Sequence, residues 1–267
     1  MSKKEKVFFK VVIPVFDAEE WVEKSIKSVA NQTFQDYVVV CVNDKCRDNT
    51  FEIVKSIAKD NERIVCVEPE KKVWNGGARN IGIHYDIESE YTLFLDNDDW
   101  FYDENVFQKI HDNIVENGYP DLVRLSYSCL VGKSSQYVEL SEGNVKDLCC
   151  SLYVAPWTKC VKSSLLVDFP ENTLIEDVVQ HIGQCDNIES VSLLKTPCVV
   201  WNRNNVNSAS LKENQKTLLN GKRVSSVYRN IADLMDLVCV HDYAEEHRLW
   251  RLGCYKNLVR EGKEEHF

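Results

Sequence analysis

YTLFLDNDDWF, residues 91–101, runs five strand-like residues straight into three aspartates, Asp96, Asp98 and Asp99. Carboxylates this close repel one another and resist burial unless a cation or protons neutralise them. Three acids at the end of a buried strand therefore point to a bound metal ion. They also mark the carboxyl end of that strand as the edge where ligands gather.

The segments upstream share one rhythm. VFFKVVIPV (7–15) reads as a first strand ended by Pro14, and DAEEWVEKSIKSVANQ (17–32) as a helix with Asp17 and Glu20 as capping box and Trp21, Ile26, Val29 and Ala30 as apolar stripe. The pattern repeats with a strand at 37–42, the loop NDKCRDN and the helix TFEIVKSIAKD, for which Asn49 or Asp48 serves as N-cap. It repeats again with a strand at 64–68, the loop EKKVWNGG and a helix from about Ala78 to Tyr85; the fourth strand is 91–95. Short apolar strands alternating with amphipathic helices predict right-handed crossovers and a parallel sheet covered on both faces. In such a sheet ligands bind outside the carboxyl ends of the strands, where PVFDAEE, NDKCRDN, WNGGARN and DNDDW all lie. Neither a Gly-x-Gly-x-x-Gly turn after the first strand nor a Gly-Lys-Ser/Thr phosphate loop is present. The acidic first loop strengthens the case for a metal bridge near Asp98.

Beyond Gly118 the alternation loosens. A strand at 121–131 is followed by a polar excursion to about Asn144, the segment APWTKCVKSSLL, and a helix ENTLIEDVVQHIGQC opened by Glu176 and Asp177. VSLLK and CVVWN read as two strands, and the chain from Leu211 onward as two helices separated near Cys239. With no repeat and no low-complexity linker, the expectation is one catalytic unit with a helical tail.

Composition sets outer limits. Of 267 residues 44% are hydrophobic, enough for one large core or a core with a smaller lobe. Lys+Arg 32 against Asp+Glu 42 gives a formal charge of −10, which disfavours non-specific attraction to nucleic acid or anionic lipid. Apolar runs such as YVVVCV (37–42) are too short to span a bilayer, and the first residues lead into a strand without a signal-peptide pattern. A soluble, cytoplasmic protein is expected. The eleven cysteines include no Cys-x-x-Cys, so zinc is disfavoured and the thiols read as small buried hydrophobes of a reducing compartment. His84, His111 and His181 fall on helical patterns, and His241 and His247 lack ligand spacing.

Taken in order, VVIPVFDAEEWVEKSIKSVANQTF, VNDKCRDNT, GGARNIGI, FLDNDDW, PWTKCV and IEDV resemble the family 2 glycosyltransferases, inverting enzymes with a GT-A fold. The resemblance covers about residues 7–210. It implies an α/β, Rossmann-like, mostly parallel sheet flanked by helices, with a nucleotide-sugar-binding half (1–118), an acceptor-binding half (119–210) and a helical C-terminal extension (211–267). The implied reaction is displacement at the anomeric carbon of a nucleotide sugar, UDP-linked by the likeness of Asp44 to a uracil-binding aspartate. Mn²⁺ or Mg²⁺ would neutralise the leaving diphosphate.

By the same resemblance Asp96-Asn97-Asp98 is the Asp-x-Asp element. Asp98 is the direct metal ligand, while Asp96 meets the ribose or an ordered water near the metal. Asp99 orients the acceptor or the metal's surroundings. Asp177 matches the base that takes the acceptor's proton, with Glu176 beside it on the acceptor side. Pro14, Val15 and Asp17 line the nucleotide pocket, and Arg79 reaches base or phosphate. Arg203, in VWNRNNVNSAS, completes charge neutralisation. Trp157 is either an aromatic platform for the acceptor sugar or a core residue. Lys45-Cys46-Arg47 departs from the family's glycine-containing loop and puts the base and ribose contacts in question.

The implied acceptor is a glycan or glycolipid, with at most peripheral contact at the inner face of a membrane. Three alternatives stand beside this. A nucleotidyltransferase would want a Gly/Arg-rich phosphate loop where PVFDAEE stands. A degenerate sugar-nucleotide-binding protein would have little use for Asp98 and Asp177 together. A glycosyltransferase acting on modified DNA bases would sit poorly with the charge of −10.

Overall fold

The computed structural model describes residues 6–140, 155–171, 176–185, 187–205 and 208. The two C-terminal helices expected beyond Leu211, and the end of the polar excursion at Asn144, lie outside the described residues.

Four strands and three helices build the first half: β1 (Val7–Val15), α1 (Val22–Ala30), β2 (Tyr37–Asn43), α2 (Thr50–Ala58), β3 (Ile64–Val67), α3 (Trp74–Ile83) and β4 (Ser89–Phe94). β1 pairs in parallel with both β2 and β4, and β2 with β3. Every residue of β2 is buried, as a strand covered on both faces requires. Phe9, Val11, Ile13 and Val15 point to the face that α1 and α2 cover, packing with Ile26, Val29, Phe51 and Val54. On the opposite face Val40 and Val42 meet Ala78 of α3. There α3 lies so close that a Cβ on Gly82 would sit 2.3 Å from Val12 Cγ1. Lys10, buried on the same face, donates to the carbonyls of Ile83 and Tyr85 and so caps the C-terminal end of α3.

The second half departs from the parallel expectation. It contains β5 (Trp100–Phe101), α4 (Val106–Glu116), β6 (Leu122–Val131), β7 (Ser134–Val138), β8 (Lys159–Lys162), α5 (Glu176–Cys185) and β9 (Val191–Asn202). Among the described residues the sheet has nine strands in the order β3-β2-β1-β4-β8-β6-β9-β5, with β7 on β6. β8 is antiparallel to both β4 and β6, β5 to β9, and β7 to β6, while β6 and β9 are parallel. The sheet is mixed because β8 enters as a short antiparallel strand between two longer ones.

Several local expectations are corrected. Asp17 and Glu20 form no capping box: α1 starts at Val22 without a side-chain cap, and Asp17 turns away to Arg47. α3 starts at Trp74 rather than Ala78 because Asp44, from another loop, accepts the N–H groups of Val73 and Trp74. VSLLK and CVVWN are one strand, β9, which passes Pro197 where its register with β6 shifts between Leu125 and Tyr127. β7 was hidden in polar SSQYV, which follows a turn at Gly132 with φ +59°. Asp103 supports the start of α4, accepting from the N–H of Asn105 and from Lys109.

Candidate active site

The carboxyl ends of β1 to β4 meet at one edge, and the three aspartates of DNDD lie there in different states. Asp96 is one-third exposed and accepts from Arg79 Nη2 at 2.8 Å. Asp98 is half-buried, and its partial loss of solvent together with the nearby Asp96 pushes its pKa up to about 6. Its Oδ2 accepts from Asn205 Nδ2 at 2.7 Å, and among the described residues no cationic side chain pairs with it. Asp99 is 2% exposed; its Oδ1 accepts the Asn202 N–H at 2.7 Å, and burial beside two other acids holds its pKa well above the carboxylate range. Asn97 Nδ2 donates to the Phe16 carbonyl at 2.9 Å, tying this motif to the loop after β1.

Arg79, fully buried in α3, bridges Asp96 to Glu176 Oε1, the latter at 2.7 Å. Burial works against its charge, yet Asp96, Glu176 and Asp177 together hold its pKa above the usual value. The same burial raises Glu176, with Arg79 pulling the other way. A close approach makes this bridge possible: a Cβ on Gly76 would lie 2.4 Å from the Pro170 carbonyl oxygen. Glu176 is thus turned inward, and Asp177 is its half-buried neighbour at the first turn of α5.

At the other end of the edge Asp44 is 2% exposed. Its Oδ1 accepts from the N–H groups of Val73 and Trp74 at 2.7 and 2.9 Å, and its Oδ2 from Lys72 Nζ at 2.8 Å. Lys45 has a left-handed φ of +63°, the conformation for which a glycine would be free of strain. Asp17, also left-handed at φ +34°, grips the backbone and guanidinium of Arg47. Val15 receives the N–H of Asp44 on its carbonyl, and Pro14 lies in β1 opposite Val42. Among the described residues, the trio whose ligand atoms fall within 4.8 Å of one another is Asp17, Cys46 and Asp48, at the exposed rim rather than in DNDD.

On the second-half side Trp157 is 5% exposed and packs against Tyr127 and Trp201 with ring centroids 5.0 and 6.0 Å away. It is part of the core wall. Lys159, buried behind it, lies 3.0 Å from His181 Nδ1, and burial lowers its pKa to about 8. Arg203 stacks on Trp201 at 4.4 Å, and its buried Nε has no hydrogen-bond partner among the described residues.

The fold thus gathers Asp96, Asn97, Asp98, Asp99, Arg79 and Glu176 into one connected group, places Asp177 beside it, and sets Asp17 and Asp44 at the far end. Asn202 and Asn205, which hold Asp99 and Asp98, were not singled out from sequence. For Asn205 a signal was present in the asparagine-dense NRNNVN, since a side-chain amide is a ready donor to a carboxylate, whereas Asn202 reaches the Asp99 carboxylate through its backbone N–H and gives its side-chain amide to the Asp98 carbonyl.

Residues 10–136 match the model of glycosyl transferase family 2. The glycosyltransferase GlyA of Streptococcus pneumoniae is 33% identical over 133 residues, 50% of this chain and 17% of that protein. A GalNAc(5)-diNAcBac-PP-undecaprenol beta-1,3-glucosyltransferase of Campylobacter jejuni is 33% identical over 90 residues, 33% of this chain and 29% of that protein. Each match takes in less than a third of the relative's own length. A crystal structure of S. aureus TarS 1–349 in complex with UDP-GlcNAc superposes with a TM-score of 0.71 at 19% identity, over 90% of this chain and 69% of that one. That likeness is one of fold.

Proposed function

This chain belongs to glycosyl transferase family 2 and has the GT-A fold, and we propose that it moves a sugar, with inversion, from a UDP-linked donor to a hydroxyl of a glycan or glycolipid. The observation that carries this reading is Asp98: a half-buried carboxylate beside Asp96 and Asp99 at the ligand edge, with no cationic partner among the described residues. A charge kept in that setting calls for a cation from outside the chain.

The residues fit a hard divalent ion. Asp98 offers oxygen, Asp96 is partly open beside it, and Mg²⁺ or Mn²⁺ typically takes one or two carboxylates and completes its shell with substrate phosphates. When bound, such an ion supplies Lewis-acid neutralisation of charge on the leaving diphosphate. The chain's own groups do the rest. Asn205 and Asn202 orient Asp98 and Asp99. Arg79 and Glu176 hold Asp96, and Arg203, with no anionic partner among the described residues, lies two positions from Asn205 and offers its charge to the diphosphate. Asp177 accepts the proton of the attacking hydroxyl. Pro14, Val15, Asp17 and Asn97 shape the nucleotide wall. Asp99, Trp157 and Glu176, all buried, act on the acceptor side by supporting the surface that it meets.

The related protein from Campylobacter jejuni is named for a lipid-linked glycan acceptor, and the structure of similar fold holds UDP-GlcNAc; both are in keeping with this assignment. Among the described residues no helix is long and apolar enough to cross a membrane. A thermal-shift panel of nucleotide sugars with and without Mn²⁺ tests the reading. UDP-sugars with Mn²⁺ should raise the unfolding temperature most, and a protein that responds to no nucleotide sugar is not a glycosyltransferase of this kind.

A further inference from the structure

Helix α5 carries two polar stripes. Glu176, Gln180 and Gln184 form one: Glu176 pairs with Arg79, Gln180 Nε2 donates to the Val167 carbonyl, and Gln184 donates to the Leu165 carbonyl while accepting the Val167 N–H. These bonds fasten the helix to α3 and to residues 165–167. Asp177, His181 and Cys185, each one turn after the last, form the other. All three bear on a single group of the sheet, the Lys159 ammonium of β8: His181 Nδ1 lies 3.0 Å from it, and Cys185 and Asp177 favour its charge.

Lys159 and His181 are both buried. An ammonium has donors only, so His181 Nδ1 accepts and the ring proton is left on Nε2. Burial lowers the Lys159 pKa to about 8; Cys185 and Asp177 pull it up, while Arg124, its register partner on β6, and Arg79 push it down. With His181, those are the charged and titratable groups that bear on it most. A methionine would fill the same space without burying a charge, but it could not grip His181.

On the reading that Asp177 is the base, we propose that Lys159 is a positioning residue for the proton transfer: as an ammonium it grips His181 and so fixes the turn of α5 that turns Asp177 to the acceptor, and as a neutral amine it releases that turn. Loss of the charge removes the attraction to Asp177 and leaves a bond between neutral groups, about half as strong as a charge-assisted one. Lys159 is charged below its pKa, so turnover should be full there and fall as pH rises through it. Donor binding, made at the ends of β1 to β4, should not follow.

The test is the pH dependence of kcat and of the donor KM for slow hydrolysis of UDP-GlcNAc and UDP-glucose in Mg²⁺. Wild-type kcat should fall on the alkaline side with a midpoint near 8 while KM holds steady. Lys159→Met should have a kcat lower by about 10²-fold, as for a displaced catalytic group, an unchanged KM and no fall through that window. Lys159→Arg, charged throughout the range, should recover part of kcat and also lack the fall. If neither donor is hydrolysed, hydrogen exchange of the α5 amides decides, corrected for its intrinsic pH dependence: protection should drop between pH 7 and 9 in the wild type and stay level in Lys159→Met. A wild-type kcat or protection that is flat through pH 8 overturns the proposal, as does a Lys159→Met protein that keeps the wild-type profile. Equal loss in KM and kcat would mark a merely structural lysine and overturn it too. In each of these cases the reading of Asp177 stands as long as Asp177→Asn is inactive; wild-type turnover in Asp177→Asn overturns both together.

Discussion

Arg79 Nη1 and Glu176 Oε1 lie 2.7 Å apart, joining residues 97 positions apart in a buried ion pair that ties α3 of the first half to the first turn of α5. The position of Asp177, the next residue, therefore depends on a bond anchored in the other half of the molecule. Removing one partner of a buried pair leaves an uncompensated charge, at a cost of about 3–5 kcal/mol. Glu176→Ala should fall near the lower figure because Asp96 still faces Arg79, and Glu176→Gln, which keeps an acceptor, should cost less. Urea denaturation of the two variants checks the order.

Asp98→Ala should abolish the part of UDP affinity that depends on Mn²⁺. Titration calorimetry of both proteins with Mn²⁺ and with EDTA measures it. Equal UDP affinity for wild type and variant under both conditions would remove Asp98 from any metal site.

A pH dependence follows from the same residue. Burial and the neighbouring Asp96 push the Asp98 pKa up to about 6, above its unfolded value of about 3.9. Between those values the folded state binds more protons than the unfolded state, so stability falls as pH rises through the window and stays low above it. The penalty is of the order of 3 kcal/mol, and Asp99, raised by the same burial, acts in the same direction. Without metal, Asp98→Asn should melt above wild type at pH 7.5 and near it at pH 4. Mn²⁺ should raise the wild-type melting temperature more at pH 7.5 than at pH 5, because the ion requires the charged form. A flat wild-type profile from pH 4 to 7.5 would contradict the burial argument.

Catalysis and binding should separate at Asp177. Asp177→Asn keeps size and polarity but cannot take a proton, so donor binding should persist while turnover drops by roughly 10²- to 10⁴-fold. Glu176→Gln should reduce turnover less, since its carboxylate is engaged with Arg79. Slow donor hydrolysis can serve as the readout. Near wild-type turnover in Asp177→Asn with loss in Glu176→Gln would shift the base by one residue.

Gly82→Ala tests the packing of α3. The added methyl would meet Val12 Cγ1 at 2.3 Å, and overpacking of this kind costs about 1–3 kcal/mol. Pairing it with Val12→Ala should recover part of that loss, as a double-mutant cycle by thermal unfolding would reveal.

The first half was legible because its strands are continuous apolar runs and its helices carry clear stripes, so period alone separates them. What escaped was decided across the fold. α3 begins four residues earlier than its own sequence signals because Asp44 caps it from another loop. β7 is polar and exposed, and among the described residues it pairs with β6 alone, so it has no apolar alternation to read. At the site, DNDD and IEDV stood out by local charge. The asparagines that hold the acids, and the inward turn of Glu176 toward Arg79, depend on partners about a hundred residues away that no local window contains.

The antiparallel entry of β8 beside β4 has a consequence for how such a molecule changes over generations. Because Leu93 faces Cys160 and Tyr91 faces Lys162, the amino end of β8 arrives at the same edge as the carboxyl end of β4. The stretch leading into β8, Pro156–Thr158, therefore lies at the same edge as the DNDD motif. Drift in length or composition ahead of β8 can remodel that edge while the four parallel strands keep their registers. The reversed strand acts as a seam along which one half can diversify and the other stay fixed.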